Sequence, residues 1–108
     1  MTELVKSISF FERFEVDILA KRKTITLRDA SESHFKVGQI LNVVALETGK
    51  CFCSILVERT TDIDFDALTQ RHAEQENMTL TQLKSLIQDI YPGISSLFMI
   101  EFSLVEAF

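Results

Sequence analysis

Hydrophobic positions along the chain fall into a short series of periodic segments. Phe11, Phe14 and Ile18 recur at i, i+3 and i+7 with Glu12, Arg13, Glu15 and Asp17 between them, which predicts a short amphipathic helix. Thr24-Ile25-Thr26-Leu27-Arg28 then alternates polar and apolar in strand-favouring residues. As a strand it carries Thr24, Thr26 and Arg28 on one face and packs Ile25 and Leu27 on the other. Residues 39–46 and 51–57 form two β-rich runs joined by Glu47-Thr48-Gly49-Lys50, with glycine where a turn wants positive φ. Both runs are apolar on nearly both faces, as in strands covered on two sides or curled into a barrel. A second helix is predicted from Asp64 to Asn77, with Phe65, Leu68 and His72 on one side. Thr79-Leu80-Thr81-Gln82 reads as a capping box opening a third, with Leu83, Leu86, Ile87 and Ile90 as its stripe and Tyr91-Pro92-Gly93 as its stop. The last segment sets Phe98, Ile100, Phe102 and Leu104 against Met99, Glu101 and Ser103, a final strand.

The predicted order is helix, strand, two or more strands, two helices, strand. That is not the regular alternation of a doubly wound fold. It predicts an α+β domain, a small and mostly antiparallel β-barrel with about three flanking helices. One proline, three glycines and no repeat or linker leave most of the chain in regular structure. With 108 residues, the chain is read as one domain over 1–108.

Composition narrows the class. At 46% hydrophobic and 25% charged residues the balance is that of an ordinary globular protein. No apolar run approaches the roughly 20 residues of a membrane span. Met1-Thr2-Glu3-Leu4-Val5-Lys6 lacks the features of a secretory leader, so a cytoplasmic protein is expected, and it is read separately as a monomer. Cys51 and Cys53 flank Phe52 on one strand, where they read as small hydrophobes rather than a disulfide. With only His34 and His72 besides, no zinc-ligand spacing exists, and neither metal nor other cofactor is expected. The net charge of −5, from 16 acids against 11 bases, disfavours a partner as long as an RNA or DNA polymer. The basic cluster Lys21-Arg22-Lys23, with Arg28 beyond it, is enough to place one polar ligand; for a ligand related to nucleic acid, a nucleoside or a short piece fits better than a polymer.

Three segments hold polar groups that structure alone does not require: Lys21 to Arg28, Asp29-Ala30-Ser31-Glu32-Ser33-His34-Phe35, and Arg71-His72-Ala73-Glu74-Gln75-Glu76-Asn77. Each also has a plain structural explanation. Basic clusters are commonly solvated surface, threonines favour strands, and a histidine on an apolar helix side is commonly a satisfied core residue. No G-x-S-x-G nucleophile motif is present. Composition and spacing by themselves yield a soluble domain with a polar cleft.

Longer motifs add a resemblance. Lys23-Thr24-Ile25-Thr26-Leu27-Arg28, directly after a short helix, resembles the signature of the ASCH domains, small barrels related to the PUA fold. Ser9-Phe10-Phe11-Glu12-Arg13-Phe14, Asp17-Ile18-Leu19-Ala20, Arg22-Lys23-Thr24-Ile25-Thr26 and Ser31-Glu32-Ser33-His34-Phe35-Lys36 extend the match. With the run His72 to Thr81, Asp89-Ile90-Tyr91-Pro92-Gly93 and Ile100-Glu101-Phe102, the chain resembles their YqfB-like group of N4-acetylcytidine amidohydrolases over a core of about 8–104. The resemblance implies hydrolysis of the acetamide on the exocyclic cytosine nitrogen. It implies Thr26 as nucleophile, Lys23 as proton acceptor and Glu76 as proton donor. Candidate substrate-binding residues are Arg28, Ser33, His34, Phe35 and Tyr91; Phe35, Tyr91 and Phe52 are all open as the aromatic that stacks on the base. One departure is Lys21, where the group usually carries glycine; a left-handed helix end there would cost lysine about 1 kcal/mol.

Amide cleavage needs a nucleophile, a group to take its proton and a group to protonate the departing nitrogen. Lys23 serves as a base only with a depressed pKa, and Glu76 as an acid only with a raised one. Lys23 and Thr26 are three residues apart, so they share a site only if Lys23 lies in the turn before the strand. The oxyanion donor stays open between a backbone N–H and Arg28. The rival from another class is a non-enzymatic RNA- or nucleotide-binding module on the same PUA-like barrel.

Overall fold

The computed structural model describes residues 6–108; Met1–Val5, read above for a leader, lies outside the described residues. In chain order the elements are β1 (Lys6–Phe10), α1 (Glu15–Leu19), β2 (Ile25–Arg28), β3 (Ile40–Ala45), β4 (Cys51–Asp64), α2 (Gln70–Gln75), α3 (Leu80–Ile90) and β5 (Ser96–Ala107). No helix among the described residues is long and apolar enough to cross a membrane.

The strands form one mixed sheet in the order β1-β3-β4-β5-β2. β1 runs parallel to β3, and the other neighbours are antiparallel. The sheet is open, which corrects the expected closed barrel. Closure would need a ladder between its edge strands, and among the described residues β1 and β2 share none. A side chain spans them instead: Arg28 Nη2 on β2 donates to the Ser9 carbonyl on β1 at 2.7 Å.

Two elements differ from the sequence pattern. β1 was not predicted, because Lys6-Ser7-Ile8-Ser9-Phe10 holds only two apolar residues; both are buried against the core. The helix expected from Asp64 to Asn77 is shorter, for β4 continues to Asp64 by pairing Thr60 with Ile100 and Asp64 with Ser96. A 3-10 turn at Phe65–Ala67 and extended Leu68 follow, and α2 begins only at Gln70. Cross-strand pairing thus overrode a periodicity that Phe65, Leu68 and His72 satisfy equally well through a turn. The third helix forms as its cap predicts: Gln82 N–H donates to Thr79 Oγ1 at 3.1 Å and Thr79 N–H to Gln82 Oε1 at 2.9 Å.

Apolar side chains gather in two clusters. Ile8, Phe10, Ile18, Val43, Ile55 and Phe102 belong to one; Ile25, Leu27, Leu68, Leu83, Ile87 and Met99 belong to the other. β5 supplies both, Ile100 and Phe102 to the first and Leu97 and Met99 to the second, since alternate residues face opposite ways. Ile25 and Leu27 of β2 enter the second cluster, while Thr26 lies opposite Ile100 of the first. A hydroxyl is thereby set at the seam between two apolar bodies.

α1 ends in a Schellman motif. Lys21 N–H donates to the Ile18 carbonyl at 3.1 Å and Arg22 N–H to the Asp17 carbonyl at 2.9 Å. Lys21 holds φ +64°, the left-handed conformation that glycine adopts most easily. Lys21→Gly should therefore stabilise the fold by up to about 1 kcal/mol. A urea midpoint that stays or falls in this variant would mean that Lys21 bears no such strain.

Candidate active site

Two helix ends meet at the site. α2 closes with the same device as α1: Asn77 has φ +56°, its N–H donates to the Glu74 carbonyl at 3.0 Å, and Met78 N–H donates to the Ala73 carbonyl at 2.9 Å. Asparagine is among the few non-glycine residues that enter this conformation readily. The two ends are stitched together by Thr24 N–H donating to the Gln75 carbonyl at 2.8 Å and Asn77 Nδ2 donating to Asp17 Oδ1 at 3.1 Å. Glu76 is the last residue before the reversal of α2, and Lys23 leaves the reversal of α1 two residues before β2 begins. Lys23 Nζ lies 2.5 Å from Glu76 Oε1, with side chains 2% and 5% exposed. Nζ also donates to the Ile25 carbonyl at 3.1 Å and sits 4.7 Å from the centre of the Phe14 ring.

Burial pushes the Lys23 ammonium below its ordinary pKa, against the upward pull of the Glu76 carboxylate, and the Arg28 guanidinium adds to the lowering. Lys23, Glu76 and Thr26 line one cavity of about 390 Å³, whose walls include Phe10, Phe11, Phe14 and Ile87. Thr26 is 4% exposed, and its Oγ1 accepts from Arg28 Nε at 3.0 Å. Among the described residues no hydrogen bond joins Lys23 Nζ to Thr26 Oγ1; they share the cavity, not a bond.

Of the predicted substrate-binding residues, Arg28 and Tyr91 line this cavity; Ser33, His34 and Phe35 do not. Ser33 Oγ donates to the Ala30 carbonyl at 2.8 Å and closes a local turn. His34 is exposed, with its ring 4.2 Å from that of Phe35, and Phe35 is buried in the first cluster together with Phe52. His72 Nδ1 accepts from Thr69 N–H at 3.1 Å and caps α2, away from the cavity. Glu74 is exposed and Glu76 buried, and Phe65 and Leu68 lie outside α2.

The residue reading missed Glu32 and the aromatic wall. Glu32 came within a segment singled out for its polarity, yet its neighbours were favoured. Phe10, Phe11 and Phe14 were readable as a signal, since three phenylalanines within five residues exceed the needs of one narrow helix stripe. An amine, a carboxyl and a hydroxyl around a mostly apolar cavity suit acid–base work on a small planar substrate. Among the described residues no three or more His, Cys, Asp or Glu side chains converge as metal ligands.

No protein-family model matches the chain. The N(4)-acetylcytidine amidohydrolase of Escherichia coli K12 is 58% identical over 95 residues, covering 88% of this chain and 92% of that enzyme. Two crystal structures share the fold. Protein EF3133 of Enterococcus faecalis V583 superposes with a TM-score of 0.80 at 14% identity, covering 99% of this chain and 80% of that one. An ASCH domain from Lactobacillus crispatus JV V101 superposes with a TM-score of 0.72 at 17% identity, covering 84% of this chain and 69% of that one. On an ASCH-type fold, and with more than half its residues shared along nearly the full length of the Escherichia coli enzyme, the chain belongs to the N(4)-acetylcytidine amidohydrolase family.

Proposed function

We propose that this protein hydrolyses the acetamide of N4-acetylcytidine to cytidine and acetate, with Thr26 as nucleophile, Lys23 as proton acceptor and Glu76 as proton donor. The observation that carries the reading is the Lys23–Glu76 pair, buried at 2.5 Å in the cavity that Thr26 also lines. An ammonium–carboxylate pair and its amine–carboxylic acid form differ by one proton shifted along that contact. Burial favours the amine form of Lys23, and in the amine–acid form of the pair a base and an acid lie side by side.

In the acylation step the Thr26 hydroxyl proton passes to the Lys23 amine as Oγ1 bonds to the acetyl carbonyl carbon. The carbonyl pair moves onto oxygen and returns as the C–N bond breaks, and Glu76 gives its proton to the departing N4. Water then attacks the acetyl–Thr26 ester as the pair takes one of its protons. The C–Oγ1 bond breaks as Oγ1 receives that proton back, and the acetic acid so formed gives its own proton to solvent and leaves as acetate. The cavity of about 390 Å³ and the net charge of −5 favour a free nucleoside over a long RNA.

Purified protein incubated with N4-acetylcytidine should release cytidine and acetate in equal amounts, with or without a chelator. Folded protein that leaves the substrate intact would refute the activity. Loss of turnover in EDTA with recovery in zinc would refute this mechanism.

A further inference from the structure

The Arg28 guanidinium is held more firmly than a passing substrate contact needs. Nη1 reaches both Glu32 carboxylate oxygens, at 3.2 and 3.1 Å, and Nη2 donates to the Ser9 carbonyl at 2.7 Å. Its carbon lies 4.8 Å from the centre of the Phe10 ring. These anchors sit on β1 and on the turn after β2, so the planar group has little freedom left. What it directs at the cavity's hydroxyl is one N–H, from Nε to Thr26 Oγ1 at 3.0 Å.

A hydroxyl oxygen has one proton and two lone pairs. With one lone pair facing Nε–H, the proton of Thr26 must point away from the guanidinium. A fixed positive charge beside Oγ1 also favours the anion that forms there. We propose that Arg28 is the positioning residue of the nucleophile: it orients the Thr26 hydroxyl and holds the electron pair that develops on Oγ1, while Glu32 holds Arg28. As the Oγ–H bond breaks and its proton moves to Lys23, the guanidinium Nε–H meets an acceptor of growing negative charge. The contact is therefore stronger in the transition state than in the ground state, and its effect falls on kcat rather than KM. The inference rests on Thr26 being the nucleophile.

Lysine keeps the charge but lacks the fork, so Arg28→Lys should lower kcat about 10²-fold and leave KM within about twofold. In a Thr26→Ala background the same change should remove nothing further, because the contact is already gone. Glu32→Gln, which leaves Arg28 in place and only loosens its anchor, should lower kcat about tenfold, again without moving KM. A raised KM at unchanged kcat in Arg28→Lys would make Arg28 a substrate contact and overturn the proposal. An equal further loss in the Thr26→Ala background would make its role merely structural. Should Arg28→Lys fail to fold for want of its bridge between β1 and β2, Glu32→Gln decides: unchanged kcat there overturns the proposal. A fully active Thr26→Ala single variant would instead refute the underlying choice of nucleophile.

Discussion

Lys23→Arg should cut turnover of N4-acetylcytidine by about 10²- to 10⁴-fold, the range for losing a general base. Arginine keeps a cation beside Glu76 but cannot surrender its proton at any working pH. Alanine is the poorer probe, since it would strand the Glu76 carboxylate in a site where its side chain is 5% exposed. Breaking a buried pair in that way typically costs about 3–5 kcal/mol. The pH dependence has a definite sign. Burial lowers the Lys23 pKa from 10.5, so the pair should lose its one shared proton below 10.5, and kcat/KM should fall as pH rises through that point because the proton Glu76 delivers is gone. The limb should be absent from whatever activity Lys23→Arg retains. An active arginine variant with the same limb would mean that Lys23 contributes only charge.

Glu76→Gln should lower turnover by a similar ~10²- to 10⁴-fold, and Glu74→Gln should be nearly silent. The two carboxylates are two residues apart, yet the reversal of α2 buries one against Lys23 and leaves the other in water. Removing the Glu76 charge also removes the main influence holding the Lys23 pKa up. With no acid left to lose, the residual activity should instead rise with pH as Lys23 alone gives up its proton, below the pH of the native limb. The loss should shrink for an acylated substrate whose leaving group needs no proton. If Glu74→Gln is the damaging change, the site has been assigned to the wrong carboxylate.

Local rules made part of this molecule legible. The Thr79–Gln82 capping box, the positive φ at Gly49 and the split of β2 between Thr26 and its apolar neighbours all follow from short-range patterns. What those patterns could not show was set by pairing at long range. β4 reaches Asp64 because β5 is there to receive it, and the sheet stays open with Arg28 bridging its edges. The site follows the same division. The strained position at Lys21 was foreseeable from one missing glycine, and it opens the reversal that delivers Lys23. That Lys23 meets a carboxylate 53 residues away depends on two helix ends stitched together by backbone and Asn77, which no spacing along the chain encodes. Ser33, His34 and Phe35 were drawn in by local polarity and aromaticity, but the turn around Ala30 points that chemistry elsewhere and leaves Glu32 at the cavity.

The central claim is that a threonine hydroxyl, served by a buried lysine–glutamate pair, attacks the acetamide. The most direct test compares cytidine release from N4-acetylcytidine by the native protein and by Thr26→Ala, each shown to be folded. The account predicts steady release of cytidine and acetate by the first and a rate at least ~10³-fold lower from the second. A Thr26→Ala protein working within about tenfold of the native rate would contradict it, because water and not Thr26 would then be the attacking group.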